Sequence, residues 1–353
     1  MVGHVTAPVR RTVSERELNR AVLARQGLLN PLDEPLPRVL ERIAGIQAQY
    51  APSMYVGLWS RLAGFERAAL TRALERRAVV QATLMRVTIH LVAPGDYWPF
   101  ALATRESRRR LWLRARPDGP QSRALAGAAR TLRRRLEGGG TLSRKEIEAL
   151  VGKPRAAAVG LWLDLVRVPP SGTWERRRAD LYGLADEWVG PEPRLTARAA
   201  AGHLVRSYLA GFGPASAKDV VSYTGLTPAA VRPLLGGLGL RRFRGEDGQE
   251  LLDVPGGPLP DPETPAPPRF LPTWDATLLV HARRAGILPE RHRPRIFSIR
   301  NPHSSSTFLV DGAVAGSWRH EDGGIALDPF EPLDAATLRA LREEADRLVE
   351  LHR

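Results

Sequence analysis

The sequence predicts an α+β fold in which three copies of a helices-then-hairpin module precede a small β-rich unit. Three observations predict it. Helix-start signals recur along the chain: Ser14 with Glu17, Ser143 with Glu146, and Thr227 followed by Pro228. Each helical stretch ends in two short strand-like runs. A proline-rich linker, VPGGPLPDPETPAPPRFLP, then separates the repeats from an alternating C-terminal segment. With 353 residues the chain can bury several cores.

In the first copy, Ser14 caps a helix whose face is Leu18, Ala21 and Val22, and Leu36, Val39, Leu40 and Ile43 mark a second. Met54 to Leu62 and Glu66 to Glu75 read as two more helices, and AVVQATLMRVTIHLVAP reads as a hairpin. Helices followed by a hairpin is the order of a winged helix. It recurs after Gly138-Gly139-Gly140, where Ile147 and Leu150 supply an apolar face. Pro154 to Asp164 gives a further helix, and LVRVPPSGTWERRR reads as strand, turn, strand. The third copy has helices over Ala197 to Ala210, in KDVVSYTG, and from Pro228 to Leu235. LRRFRGEDGQELLDV closes it as a hairpin over a Gly/Asp turn. Beyond the linker, IFSIRNPHSSSTFLVDGAVAGSW suggests a barrel-like β-unit. The final helix, LDAATLRALREEADRLVELHR, packs Leu338, Leu341 and Leu348 on the body. Boundaries fall at 1–105, 106–195, 196–256 and 257–353.

Lys+Arg 52 against Asp+Glu 38 gives a net charge of +14, a footprint that favours nucleic acid. Only three lysines, Lys145, Lys153 and Lys218, contribute. Codon bias accounts for that ratio but not for the net excess. Arginine clusters at Arg108–Arg110, Arg133–Arg135, Arg176–Arg178 and Arg241-Arg242 each read equally well as solvated faces; together they favour a DNA track, with two of them in predicted wings. The lack of cysteine excludes disulfides, thiolate zinc and a cysteine nucleophile. No apolar run approaches a membrane span and the N-terminus does not read as a signal peptide, so a cytoplasmic protein is expected. Walker A, GxSxG, HExxH and EF-hand patterns are absent. The eight histidines lack metal-ligand spacing, so no metal is expected. His90 and His281 read as structural or DNA-contacting.

One stretch, GIQAQYAPSMYVGLW, places two glutamines where an apolar helix stops. On a continuing helix Gln47 and Gln49 would diverge by about 200°. Pro52 disfavours helix at Ala51, so Tyr50-Ala51-Pro52 is expected to end the helix. An extended exit would put both amides on one side. A glutamine cannot act as a general base, but it can orient a water. That suffices when the leaving group is already activated, as in N7-alkylguanine. From periodicity alone, a helix cap and a satisfied core amide is the simpler account of the pair.

IQAQ (Ile46–Gln49), LMRVTIHLV (Leu84–Val92), PTWDATLLVHARRAGILP (Pro272–Pro289) and TFLVDGAVAGSWR (Thr307–Arg319) change that balance. In that order, over most of the chain, they resemble the winged-helix DNA glycosylases that unhook or excise bulky alkylguanine lesions, including azinomycin-resistance and bacterial crosslink-unhooking enzymes. That family's signature is Gln-apolar-Gln, or Gln-apolar-Asp in another branch, and Gln47-Ala48-Gln49 matches the first form. The resemblance implies three tandem winged helices and a small β-barrel forming a C-shaped DNA channel. It also implies Gln47 and Gln49 as catalytic residues and double-stranded DNA carrying a bulky alkylguanine lesion as substrate, with no metal or cofactor. Charge and resemblance together place Arg86, His90, Arg176, Arg177, Arg241, Arg242, Arg300, His303 and Arg319 toward DNA. A monomer without lyase activity is expected, because all three lysines lie outside the first unit. Relatives tend to have Arg-Gly-Thr before the histidine, whereas this chain has Arg86-Val87-Thr88-Ile89-His90. RNPHSSST, Arg300 to Thr307, reads as a hairpin tip near DNA. The rival expectation is a winged-helix DNA-binding regulator without chemistry.

Overall fold

Helices and hairpins alternate through most of the chain, and the computed structural model describes residues 9–279, 286–297 and 304–353. The architecture is mixed α+β. Strand β1 (Val9–Val13) precedes α1 (Glu15–Arg25), α2 (Leu36–Arg42), β2 (Ile46–Gln47), α3 (Ala51–Trp59) and α4 (Arg67–Glu75). Strands β3 (Val80–Thr83) and β4 (Ile89–Val92) follow, joined by a 3-10 turn over Met85–Val87. The next stretch holds α5 (Pro94–Ala115), α6 (Ser122–Leu136), β5 (Leu142–Ser143), α7 (Arg144–Val151), α8 (Lys153–Ala156), β6 (Leu165–Arg167), β7 (Leu181–Leu184) and α9 (Ala185–Trp188). After it come α10 (Ala197–Phe212), α11 (Ala217–Thr224), α12 (Pro228–Gly237), β8 (Arg241–Gly245) and β9 (Glu250–Asp253). The C-terminal part contains β10 (Arg269–Leu271), α13 (Ala276–Leu279), α14 (Arg293–Ile296), β11 (Thr307–Val310), β12 (Ala313–Glu321), β13 (Gly324–Pro329) and α15 (Ala335–His352).

Local sequence sets the helix starts. Both capping boxes form: Ser14 and Ser143 accept from the amides of Glu17 and Glu146, whose carboxylates reach back. Thr227 caps α12, with Pro228 in its first turn. Elsewhere tertiary packing overrides the reading. The helix expected over Pro154 to Asp164 is broken into α8 and a 3-10 turn at Val159–Leu161. Buried Ala156, Ala158, Val159, Leu161 and Leu163 do not fall at helical spacing, so one continuous helix could not bury them all. WERRR is not a strand; the second strand of that hairpin lies at Leu181–Leu184, and Arg176 to Arg178 ride an exposed loop. Leu150 is exposed, and Leu338 is only half-buried.

Three sheets result. The first two hairpins join into one six-stranded sheet of order β2-β4-β3-β6-β7-β5. The third hairpin pairs instead with β1, which lies parallel to β8. The C-terminal sheet runs β10-β11-β12-β13, with the proline-rich linker feeding its edge strand, where prolines are tolerated. Helix α10 packs along α5, and Tyr208, Phe212 and Tyr223 cluster with ring centroids 4.7–5.5 Å apart. Leu341, Leu348 and Leu351 of α15 join a second core with Leu40, Met54 and Phe270.

Several arginines are internal. Arg25 of α1 pairs with fully buried Asp253 at 2.7 Å, and Arg61 pairs with Asp275 at 2.9 Å. Buried charges persist only when paired and hydrogen-bonded, so these pairs fix the N-terminal helices to distant parts of the chain. Among the described residues no helix is long and apolar enough to cross a membrane.

Candidate functional site

The glutamine segment is shaped by the end of α2. After Ile43, Ala44 (φ 62°) and Gly45 (φ 76°) adopt left-handed conformations and turn the chain into β2. A Cβ on Gly45 would lie 2.8 Å from Val92 Cγ1 and 3.0 Å from the Leu91 carbonyl, so this turn requires glycine. The helix therefore stops before Gln47. Tyr50-Ala51-Pro52, expected to end it, instead begins α3: Tyr50 is the N-cap and Pro52 lies in the first turn, where its missing N–H is no loss.

Ile46 and Gln47 pair with Leu91 and His90. The ladder continues through Ala48, whose N–H donates to the Ile89 carbonyl at 2.8 Å. The Ile89 N–H then donates to Gln49 Oε1 at 3.1 Å, so a side chain supplies the acceptor that the departing backbone no longer offers. That bond orients the amide: Oε1 faces the strand and Nε2 is left to donate elsewhere. Gln47 is 6% exposed, and its amide makes no hydrogen bond to any described residue. The ladder runs through Ala48 and ends at Gln49, where the chain bends toward α3.

His90 stands opposite Gln47 at a non-hydrogen-bonded pair, where side chains are closest. It is 2% exposed, and its Nδ1 donates to the Thr88 carbonyl at 3.0 Å, which leaves Nε2 as a lone pair. Burial, then the nearby Arg86, pushes its pKa down to about 3, so the ring is neutral. Arg86 (φ 53°) and Val87 (φ 62°) occupy the left-handed region at the hairpin tip. For the β-branched Val87 this is strained. The tip docks on α11: Arg86 donates to the Tyr223 carbonyl and lies 5.4 Å from that ring's centroid.

Arg176 and Arg177 are exposed on the loop after β6, and no carboxylate among the described residues pairs with them. The loop is anchored by buried Trp174, 5.6 Å from the Tyr55 ring. Arg177 donates to the Tyr50 hydroxyl at 3.1 Å, bringing a second-copy arginine to the residue after Gln49. Tyr50 is 38% exposed; the sequence assigns it only to the helix end and not to the site. The remaining arginines are engaged. Arg241 bonds to Asp253 and to the Val254 and Gly257 carbonyls, Arg242 pairs with Glu250, and Arg319 pairs with Glu321 at 2.5 Å. His281, Arg300 and His303 lie outside the described residues. Among the described residues no His/Asp/Glu group could hold a metal ion.

The AlkZ-like DNA glycosylase family model matches residues 40–351. No curated protein matches the chain. Among solved structures, the Streptomyces sahachiroi DNA glycosylase AlkZ is similar in fold, with TM-score 0.81 at 20% identity over 96% of this chain and 97% of that one. The family match spans the glutamine strand, all three following hairpins and the C-terminal sheet, and the chain belongs to the AlkZ-like DNA glycosylase family.

Proposed function

We propose that this DNA glycosylase releases bulky N7-alkylated guanine, as a monoadduct or a crosslink, through a water held between Gln47 and Gln49. The observation that carries the reading is a Gln47 amide that bonds no described residue, two positions before a Gln49 amide oriented by the Ile89 N–H. The alkylated purine is cationic, so its glycosidic bond breaks with the electron pair staying on the base. Water forms the new bond to C1′ and loses its proton to solvent, leaving an abasic site and the free alkylbase. Gln49 Nε2 donates to the water oxygen, Gln47 Oε1 accepts a hydrogen bond from the water, and both amide dipoles support the cationic sugar. Bulky adducts disfavour extrusion into a tight pocket. An open channel, C-shaped and lined by three winged-helix units (1–105, 106–195, 196–256) and a barrel-like unit (257–353), suits them. Exposed Arg176 and Arg177 face the duplex in this reading, and the enzyme acts as a monomer in the cytoplasm without lyase chemistry.

Replacing Gln47 and Gln49 by alanine is expected to lower single-turnover base release by roughly 10²–10³-fold per amide while DNA affinity stays within twofold. Release from defined N7-guanine adducts, graded from methyl to bulky drug, measures it. Wild-type protein that binds alkylated duplex yet yields no alkali-labile sites would be a regulator instead.

A further inference from the structure

We infer that the cavity between the β3–β4 tip, α5 and the N-terminus of α12 is a phosphodiester pocket that holds the lesion strand next to the glutamines. The inference rests on the chain acting on DNA and goes beyond it by assigning a site and its ligand chemistry. The cavity measures about 260 Å³ and is lined by Arg86, Arg108, Arg110, Leu111, Arg114 and Thr227.

Four guanidiniums line it, and among them only Arg108 is paired with a carboxylate, Asp164 at 3.8 Å. Arg110 and Arg114 are exposed, lie four residues apart on one face of α5, and have no carboxylate partner among the described residues. Arg108 is 3% exposed, and its Nε has no hydrogen-bond partner. Arg86 meets a carbonyl and an aromatic face but no acid, and burial pulls its pKa down. A mostly buried cation without a counterion is costly, and an anion in the cavity would remove that cost. The α12 N-terminus opens at Thr227 and adds its positive dipole end.

Two features favour a nucleic-acid phosphate over a free ion. Leu111, 51% exposed among these arginines, offers an apolar contact for a deoxyribose. Arg86 lies three residues before Ile89, which bonds Gln49, so the pocket stands within about 11 Å of chain from the proposed water site. A phosphate seated there belongs to a nucleotide adjoining the lesion.

A methylphosphonate scan tests this. Single phosphates around a non-hydrolysable abasic-site analogue, which fixes the register, are replaced one at a time by the uncharged group. Dissociation constants are then compared for the full chain and for Arg110→Ala/Arg114→Ala, whose exposed side chains can be removed without disturbing the core. One or two adjacent substitutions should each weaken wild-type binding roughly tenfold and leave the variant unaffected. The variant's log K against log salt slope should be shallower by about 1. A variant as sensitive as wild type at every position overturns the inference. So does competition by inorganic phosphate when no scanned position matters. Base release from alkylated duplex is measured separately, so loss of the glutamine mechanism leaves the scan readable, and a flat scan leaves the mechanism standing.

Discussion

Gln47 and Gln49 carry different thermodynamic signatures although only Ala48 separates them. Gln49 satisfies the Ile89 amide, so its removal costs stability as well as chemistry. Gln47 bonds no described residue, but its amide keeps contact with solvent. Gln47→Met, close in volume, should therefore change the unfolding free energy by less than about 0.5 kcal/mol while abolishing base release. A structural amide would give a loss of stability in the same urea titration. His90 makes a pH prediction. Its folded pKa, about 3, lies below the ordinary value of 6.5, so between these values the unfolded chain binds the extra proton. Stability from this group is full above pH 6.5 and declines as pH falls toward 3, by an amount on the order of 4 kcal/mol. Urea midpoints measured from pH 7 to 4 should fall in wild type and fall less steeply in His90→Gln, where His352, lowered by burial to about 4, still contributes.

At the level of elements, the stop of α2 decides the site. Gly45→Ala forces a side chain into Val92 and into a left-handed backbone, and should destabilise by about 2 kcal/mol or more. Thermal melts check this, and base release should fall as the strand loses register. Sequence showed the pair of glutamines and their extended exit but assigned the turn to the wrong residues. Pro52 signals a helix start as readily as a stop, and only the contact at Val92 identifies Gly45 as the hinge of the chain. Capping boxes, the β3–β4 hairpin and the β8–β9 hairpin were legible because their signals are local. Strand β1 was not, since its partner β8 lies over two hundred residues away. The loop over Arg176 to Arg178 looked like a strand because no local feature distinguishes it; buried Trp174 sets its path. The site's Tyr50–Arg177 contact joins two copies and leaves no trace in either alone.

Across the whole molecule, the arginine excess divides into two populations that composition cannot separate. Arg25, Arg61 and Arg241 are internal ties, whereas Arg110, Arg114, Arg176 and Arg177 face solvent. Asp253 serves two of the ties at once. Asp253→Ala would strand Arg25 and Arg241 and should cost about 3–5 kcal/mol, read as a large drop in urea midpoint with little change in salt-dependent DNA affinity of the folded fraction. The fused sheet carries a further consequence. Strand β3 meets β6 at Gln81↔Arg167 and Ala82↔Val166, so the first two copies share one continuous ladder. Separating them would bare a strand edge on each piece, and bare edges recruit foreign strands.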